Sequence, residues 1–238
     1  MDEHTAKAFD TDLNELSIKV REMARLAERR IADVTEVLGK MDAALAKEII
    51  ASDYQIDALQ RGIEEKAVLI IAKRQPVAVD LREVVGAMRI ANDLERIGDL
   101  TKSIAKRVLL SADDFRAHAN IILQLQRMAH LVLGQLTRVI QSFEDRDVAA
   151  ALEVWRKDQE VDALHNSLFR ELLTYMMENP RNITFCTHLL FCAKNIERMG
   201  DHATNIAETV HYAVLGRMLP EERPKADLTG ELAGAKAE

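Results

Sequence analysis

Proline and glycine are nearly missing from this chain, with four and nine among 238 residues. Aromatic residues make up only 4%. Helix breakers and aromatic side chains are therefore both scarce, a composition of long helices rather than of sheets. Cysteine occurs twice, at Cys186 and Cys192, six positions apart. Six helical steps are about 600°, so the two thiols point to different faces and cannot bridge each other. Two reduced, buried thiols fit a reducing compartment. No uncharged apolar run approaches bilayer-spanning length. The start, Met1-Asp2-Glu3-His4, carries neither a basic region nor an apolar stretch, so no signal peptide is expected and a cytoplasmic location is the expectation. Lys and Arg are interspersed with acids, and the formal net charge is −7. No basic tract is present to follow a phosphate backbone, which argues against a nucleic-acid partner.

What is present is helical periodicity. Leu13, Leu16, Val20, Met23, Leu26, Ala27, Ile31, Val34 and Leu38 recur at helical spacing, and Gly39 reads as the stop. Asp42 reads as the N-cap of a second helix reaching about Lys73, with Pro76 beyond it. Asp80 reads as the cap of a third helix, Leu81 to about Leu110, and the pattern resets around Ser111 to Asp114. A fourth helix is expected from Phe115 to Phe143. Asp147 reads as the cap of a fifth that ends before Pro180, and Asn182 as the cap of a sixth running to about Leu215.

The second half repeats the first. Met23-Ala24-Arg25-Leu26 answers Met128-Ala129-His130-Leu131, Asp42 answers Asp147, and the stretch from Asp53 to Leu59 answers that from Asp158 to Leu164. These matches share an offset of 105 residues. A further pair, Glu95-Arg96-Ile97-Gly98-Asp99 and Glu197-Arg198-Met199-Gly200-Asp201, is offset by 102. The fold class expected is all-α: two tandem, pseudo-symmetric three-helix bundles, with six long antiparallel helices of roughly 45 Å each. The expected units are residues 1–110 and 111–217, and the polar tail 218–238 is expected to be disordered.

The duplicated phrase is not a choice a helix makes for its own stability. Residues four apart share a face, so each phrase stacks two like charges, which costs a few tenths of a kcal/mol. Its Gly costs roughly 1 kcal/mol against Ala. In each half the second helix adds another such pair, Asp53 with Asp57 and Asp158 with Asp162. Counting along antiparallel helices brings each pair level with Glu95 and Asp99, or with Glu197 and Asp201. Four carboxylates at one height would be an oxygen-rich site for a hard cation such as Mg²⁺, Mn²⁺ or iron. Glu208 continues the face seven residues beyond Asp201, where the first copy has Lys106, so the second half is expected to bind more strongly. The plainer reading is a solvated face salt-bridged by Arg96 and Arg198. Glu208 with His211, and Asp162 with His165, have the spacing used by di-iron bundles, but Leu109 and Gln60 stand at the matching first-half positions. His202 reads as half of a surface pair, and Trp155 as packing. No phosphate loop, cysteine-pair zinc spacing or nucleophile constellation stands out.

On these phrases and on the repeat, over about residues 9 to 217, the sequence resembles the PhoU family of bacterial phosphate-transport accessory regulators. The resemblance implies a cytoplasmic, usually dimeric protein that is not an enzyme and needs no cofactor. It implies a repressor of phosphate-starvation signalling that links the phosphate transporter's ATPase subunit to a membrane sensor histidine kinase without inserting in the membrane. Some family members bind iron or zinc clusters at these acids. Carried over, the metal residues are Glu95, Asp99, Glu197 and Asp201, with Asp53, Asp57, Asp158, Asp162 and Glu208 beside them, and Lys106 departs from a full first cluster. The alternatives are a di-iron carboxylate enzyme and a metal-free helical scaffold.

Overall fold

The computed structural model describes residues 3–116 and 118–219, with side chains from Phe9 to Ser111 and from His118 to Leu219. Seven α-helices and one 3-10 turn follow in order: α1 Glu3–Lys40, α2 Ala43–Ala51, α3 Tyr54–Arg74, α4 Ala78–Arg116, α5 Ala119–Asp145, α6 Val148–Glu178, the turn Pro180–Asn182, and α7 Ile183–Leu215. Among the described residues there is no strand, and no helix is long and apolar enough to cross a membrane. The all-α, antiparallel architecture is the one the periodicity calls for. From residue 220 on, the expected tail lies outside the described residues.

The expected second helix is divided. The chain leaves helical geometry at Ser52 (φ −99°, ψ 7°), and α2 and α3 lie on either side of the turn. Asp42 caps α2 by accepting from the backbone N–H groups of Ala44 at 2.8 Å and Leu45 at 3.0 Å. Asp147 caps α6 through Ala150 N–H at 3.0 Å. Two other expected caps do not form. Asp80 sits in the first turn of α4, which begins at Ala78. Asn182 makes no cap bond to α7, because Asn179 and the 3-10 turn lead into that helix and Asn182 donates instead to Tyr175 O at 3.1 Å. The reset around Ser111 is a kink, with Ser111 at φ −139° inside α4, and α5 starts at Ala119 rather than Phe115.

Gly39 does not stop α1. The helix ends one residue later, and Met41 takes the left-handed conformation at φ 52°. Its repeat counterpart, Arg146, does the same at φ 54°. Gly39 is instead a point of close approach, where a Cβ would lie 2.3 Å from Gln126 Nε2 of α5. That amide donates to Thr35 O of α1 at 3.1 Å.

The apolar positions of α1 named above fill the core. Leu16, Val20, Met23, Ala27, Ile31, Val34 and Leu38 are all buried, and Leu13 and Leu26 pack at its margin. Each such Leu, Ile, Val or Met contributes about 1.5–3 kcal/mol of burial. α1 packs on α2, α3 and α4; α5 and α6 pack on α7 and on each other. The two sets meet where α1 lies on α5 and, more extensively, where α4 lies on α7. Equivalent helices of the repeat therefore pair, and equivalent residues answer across the seam. Asn205 Nδ2 donates to Asp93 Oδ1 at 3.4 Å, and Asn195 Nδ2 donates to Ser103 Oγ at 3.1 Å. Asp93 and Asn195 are repeat counterparts, as are Ser103 and Asn205.

The two phrase glycines behave differently. A Cβ on Gly98 would meet Ile56 Cδ1 of α3 at 2.7 Å, so α3 and α4 approach there only because the position is bare. A Cβ on Gly200 would find ordinary contacts at 3.5–3.7 Å with Gln135, Val132 and Asp158. Gly200→Ala is expected to stabilise by roughly 0.5–1 kcal/mol through helix propensity, a melting shift of about +2 °C. Gly98→Ala is expected to lose about 1 kcal/mol, because Ile56 must move; thermal unfolding of both variants checks the contrast. Cys186 and Cys192 are free and buried, and burial pushes the Cys192 thiol up to about 12. Neither thiol should react with a disulfide reagent at pH 8 until denaturant is added, which a thiol titration reads directly.

Candidate functional site

In the first half the acids gather where α3 meets α4. Asp53, at the break before α3, accepts a hydrogen bond from Lys102 Nζ. The same ammonium stands 3.6 Å from Asp99 Oδ1. The Arg96 guanidinium lies 3.4 Å from Glu95 Oε2 and 3.7 Å from Asp99 Oδ2, with its own side chain half exposed. Glu95 Oε2 is buried and has no hydrogen-bond partner. Burial holds the Glu95 carboxyl above its ordinary range, and the nearby charge of Asp99 adds to this; Arg96 opposes, and Asp57 adds a further push upward. Asp57 thus belongs to the same set, although its side chain is only half-buried.

The second half buries its acids more deeply. Asp158, Asp162 and Glu197 are 2%, 6% and 7% exposed, and Asp201 is half-buried. Desolvation of this kind strongly favours the neutral form unless a cation or donors compensate. Asp158 Oδ1 accepts from Thr204 Oγ1 at 3.2 Å, and that hydroxyl also lies 3.1 Å from Gly200 O. Glu197 Oε1 accepts from Lys194 Nζ at 2.8 Å, while its Oε2 is buried without a hydrogen-bond partner. Burial is the main cause that raises the Glu197 carboxyl; Lys194 works against it, and Asp201 and Asp162 work with it.

Each half therefore brings its two acid pairs to one helix–helix face, as counting along antiparallel helices requires. Among the described residues, however, no three His, Cys, Asp or Glu side chains converge closely enough to hold a metal ion. The donors suit a hard cation chemically, and the unpartnered oxygen of Glu197 is the atom that most needs one. In the first half Lys102, rather than the exposed Lys106, brings an ammonium to Asp53 and Asp99, while Glu95 Oε2 stays without a hydrogen bond.

Glu208 accepts from the Trp155 indole N–H at 3.0 Å, so its carboxylate is engaged with α6. His211 is buried, with Nδ1 3.0 Å from Arg217 O, and so serves the end of α7. His165, also buried, borders a cavity of about 370 Å³ lined by Phe169, Leu190, Phe191 and Lys194. The two Asp/Glu–His spacings are thus engaged in separate places rather than brought together.

His202 is not a surface residue. Its Nδ1 lies 2.9 Å from Asp93 Oδ1 across the α4–α7 seam, and Asp93 itself is 7% exposed. The sequence carried a signal for this: Asp93 interrupts the apolar face of Ile90, Leu94 and Ile97. Arg107 carries no comparable signal in the sequence, where it is one of many basic residues on long helices. Its guanidinium carbon lies 4.1 Å from the centre of the Phe191 ring, and Nη1 lies 3.5 Å from His188 Nδ1.

Comparison with known proteins matches this arrangement from end to end. The family model described as "PhoU domain" matches twice, over residues 20–108 and 125–210, one match per repeat. A phosphate-specific transport system accessory protein PhoU homolog of Rhizobium meliloti is 51% identical over 229 residues, 96% of each chain. Its counterpart in Caulobacter vibrioides is 46% identical, over 97% of this chain and all of the relative. Among solved structures, PhoU from Pseudomonas aeruginosa superposes with a TM-score of 0.78 at 33% identity, covering 88% of this chain and all of that one. The phosphate transport system regulatory protein PhoU from Streptococcus pneumoniae gives 0.82 at 28% identity, covering 90% of this chain and all of that one. With the doubled phrase, the repeat and the helical bundle all accounted for, the chain belongs to the PhoU family.

Proposed function

We propose that this chain is a cytoplasmic, dimeric regulatory accessory protein of a phosphate-specific transport system, without catalytic activity of its own. The observation that carries this reading is full-length likeness: relatives matched over 96% of both chains bear that accessory name. As an adaptor it would bind the transporter's ATPase subunit on one side and a sensor histidine kinase on the other, repressing starvation genes when phosphate is plentiful. Long helices suit such a task, because their ridged outer faces accept further helices.

A hard divalent cation at the second-half acids is part of the proposal. Glu197, Asp201, Asp158 and Asp162 would hold it, with Glu208 at the edge. It would bring positive charge to the buried carboxylates of Asp158, Asp162 and Glu197. At the first-half acids, Glu95, Asp99, Asp53 and Asp57, the same role is open to an iron or zinc cluster only if Lys102 is displaced.

The adaptor reading is tested by recovering a tagged chain from cells grown in high phosphate. The ATPase subunit and the kinase should co-purify, and deletion should switch on starvation genes in high phosphate. Recovery of neither partner, together with repression that survives the deletion, would sink it. A second expectation concerns Glu197. A carboxyl raised by burial favours the fold while protonated and loses that contribution as pH rises through its folded value. Glu197→Gln should therefore raise the melting temperature of chelator-treated protein at pH 8, and the gain should shrink as pH falls towards 4. An equal gain at both pH values would contradict the burial argument.

A further inference from the structure

One stretch of each of three neighbouring helices is free of acids. Residues 100–111 of α4, 163–170 of α6 and 183–196 of α7 contain no Asp or Glu, although acids outnumber bases in the whole chain, 39 to 32. Lys106, Arg107, Arg170 and Lys194 stand within them. α7 packs on both α4 and α6. From α4, Arg107 lies over the Phe191 ring. From α6, His165 and Phe169 meet Thr187, Leu190, Phe191 and Lys194 around the cavity of about 370 Å³. Phe191 nevertheless remains 48% exposed. Among the described residues Arg107 pairs with no carboxylate; its partners are the Phe191 ring and His188 Nδ1. Lys194 holds Glu197 and still keeps its side chain 45% exposed. The apolar surface continues in steps of four from Phe169 to Leu173 and Met177 on α6, and to Ile183 on α7 and Leu110 on α4, all four exposed.

We propose that this α6–α7 groove docks an amphipathic helix of a partner protein, one whose apolar stripe is flanked by Asp and Glu. The proposal deepens the adaptor reading above and rests on it for the partner being a protein. From Ile183 to Lys194 α7 runs about 16 Å, the length of three helical turns. A helix laid along it can seat one large side chain between Phe169 and Phe191, as in helix-in-groove recognition, where a few anchors carry most of the binding energy. Arg107 holds the Phe191 wall in place by stacking on it. The cations at the rim draw acidic flanks and repel basic ones. An anionic lipid surface would answer the charge, but it has no single projecting group to fill a recess between two helices.

The test uses the full chain and two fluorescent helical peptides that share one Leu and Phe stripe, with Glu at the remaining positions of the first and Lys at those of the second. Fluorescence anisotropy reads binding. The acidic peptide should bind and the basic one should not. Phe191→Asp should weaken the acidic peptide by roughly tenfold or more, with Phe191→Ala in its place should circular dichroism show that helix is lost. Val68→Asp, on the exposed face of α3, should change nothing. Lys106→Glu together with Arg107→Glu should turn the preference towards the basic peptide, a gain that a misfolded chain cannot give. Equal binding of both peptides overturns the proposal, as does acidic-peptide binding indifferent to Phe191→Asp. Absence of peptide binding overturns it too, whether Phe191→Asp then abolishes self-association, which assigns the groove to a second copy, or binding to phosphatidylglycerol vesicles, which assigns it to a membrane. Co-purification separates this proposal from the adaptor reading. Recovery of the ATPase subunit and the kinase undiminished by Phe191→Asp sinks the groove and leaves the adaptor standing. Acidic-peptide binding that requires Phe191, with neither partner recovered, supports the groove and sinks the adaptor.

Discussion

The packing of α4 on α7 is the constraint on which the rest of the structure depends. These two helices are copies of one ancestral element by position, and each carries the acidic phrase at its middle. Pressed together, they make every other helix a flank: α1, α2 and α3 gather on α4, and α5 and α6 on α7. The phrases then lie near the centre of the seam, at the level where the two halves are related by an approximate two-fold. Flanked in this way, Glu95 against α3 and Glu197 against α6 are buried enough to be raised above the ordinary carboxyl range, which a surface helix with the same sequence would not do.

Much of this was legible in the chain. Periodicity located the long helices, and the offset of 105 residues located the duplication. Asp42 and Asp147 read correctly as caps because an aspartate before an alanine-rich start has few other uses. The acid faces of Glu95 with Asp99 and of Glu197 with Asp201 followed from spacing alone. What was not legible depended on contacts distant in sequence. Gly39 looked like a stop, but its bareness answers Gln126, on a helix eighty-odd residues later. The break at Ser52 has no glycine or proline to announce it. Lys102 was invisible as a site residue for the same reason: lysines dot every exposed helix, and only the position of Asp53 across the groove gives this one a role.

The repeat is most informative where it fails. Asp53 and Asp158, or Gly98 and Gly200, are identical residues in equivalent places, yet their surroundings differ. Gly98 is hemmed in by Ile56, while Gly200 has room. Asp53 faces an ammonium and Asp158 a hydroxyl. Identity of sequence in a duplicated fold therefore fixes the position of a side chain but not its electrostatic partner. Family resemblance carried over the acids of both halves and marked Lys106 as the difference between them, but the lysine that meets the first-half acids is Lys102.

The Asp93–His202 contact shows what the seam does beyond joining the halves. Its counterparts by repeat are Asn195 and Leu100, so the polar cluster of Asp93, His202 and Asn205 exists on one side of the two-fold alone. On the other side stands the neutral pair of Asn195 and Ser103. Such a seam works like a key with unequal teeth. Sliding α7 by one turn along α4, about 5.4 Å, would take His202 and Asn205 away from the buried Asp93 carboxylate, at a cost of several kcal/mol. The two bundles are thereby locked in one register, and a force applied to either is transmitted to the other as rigid motion rather than dissipated as slip.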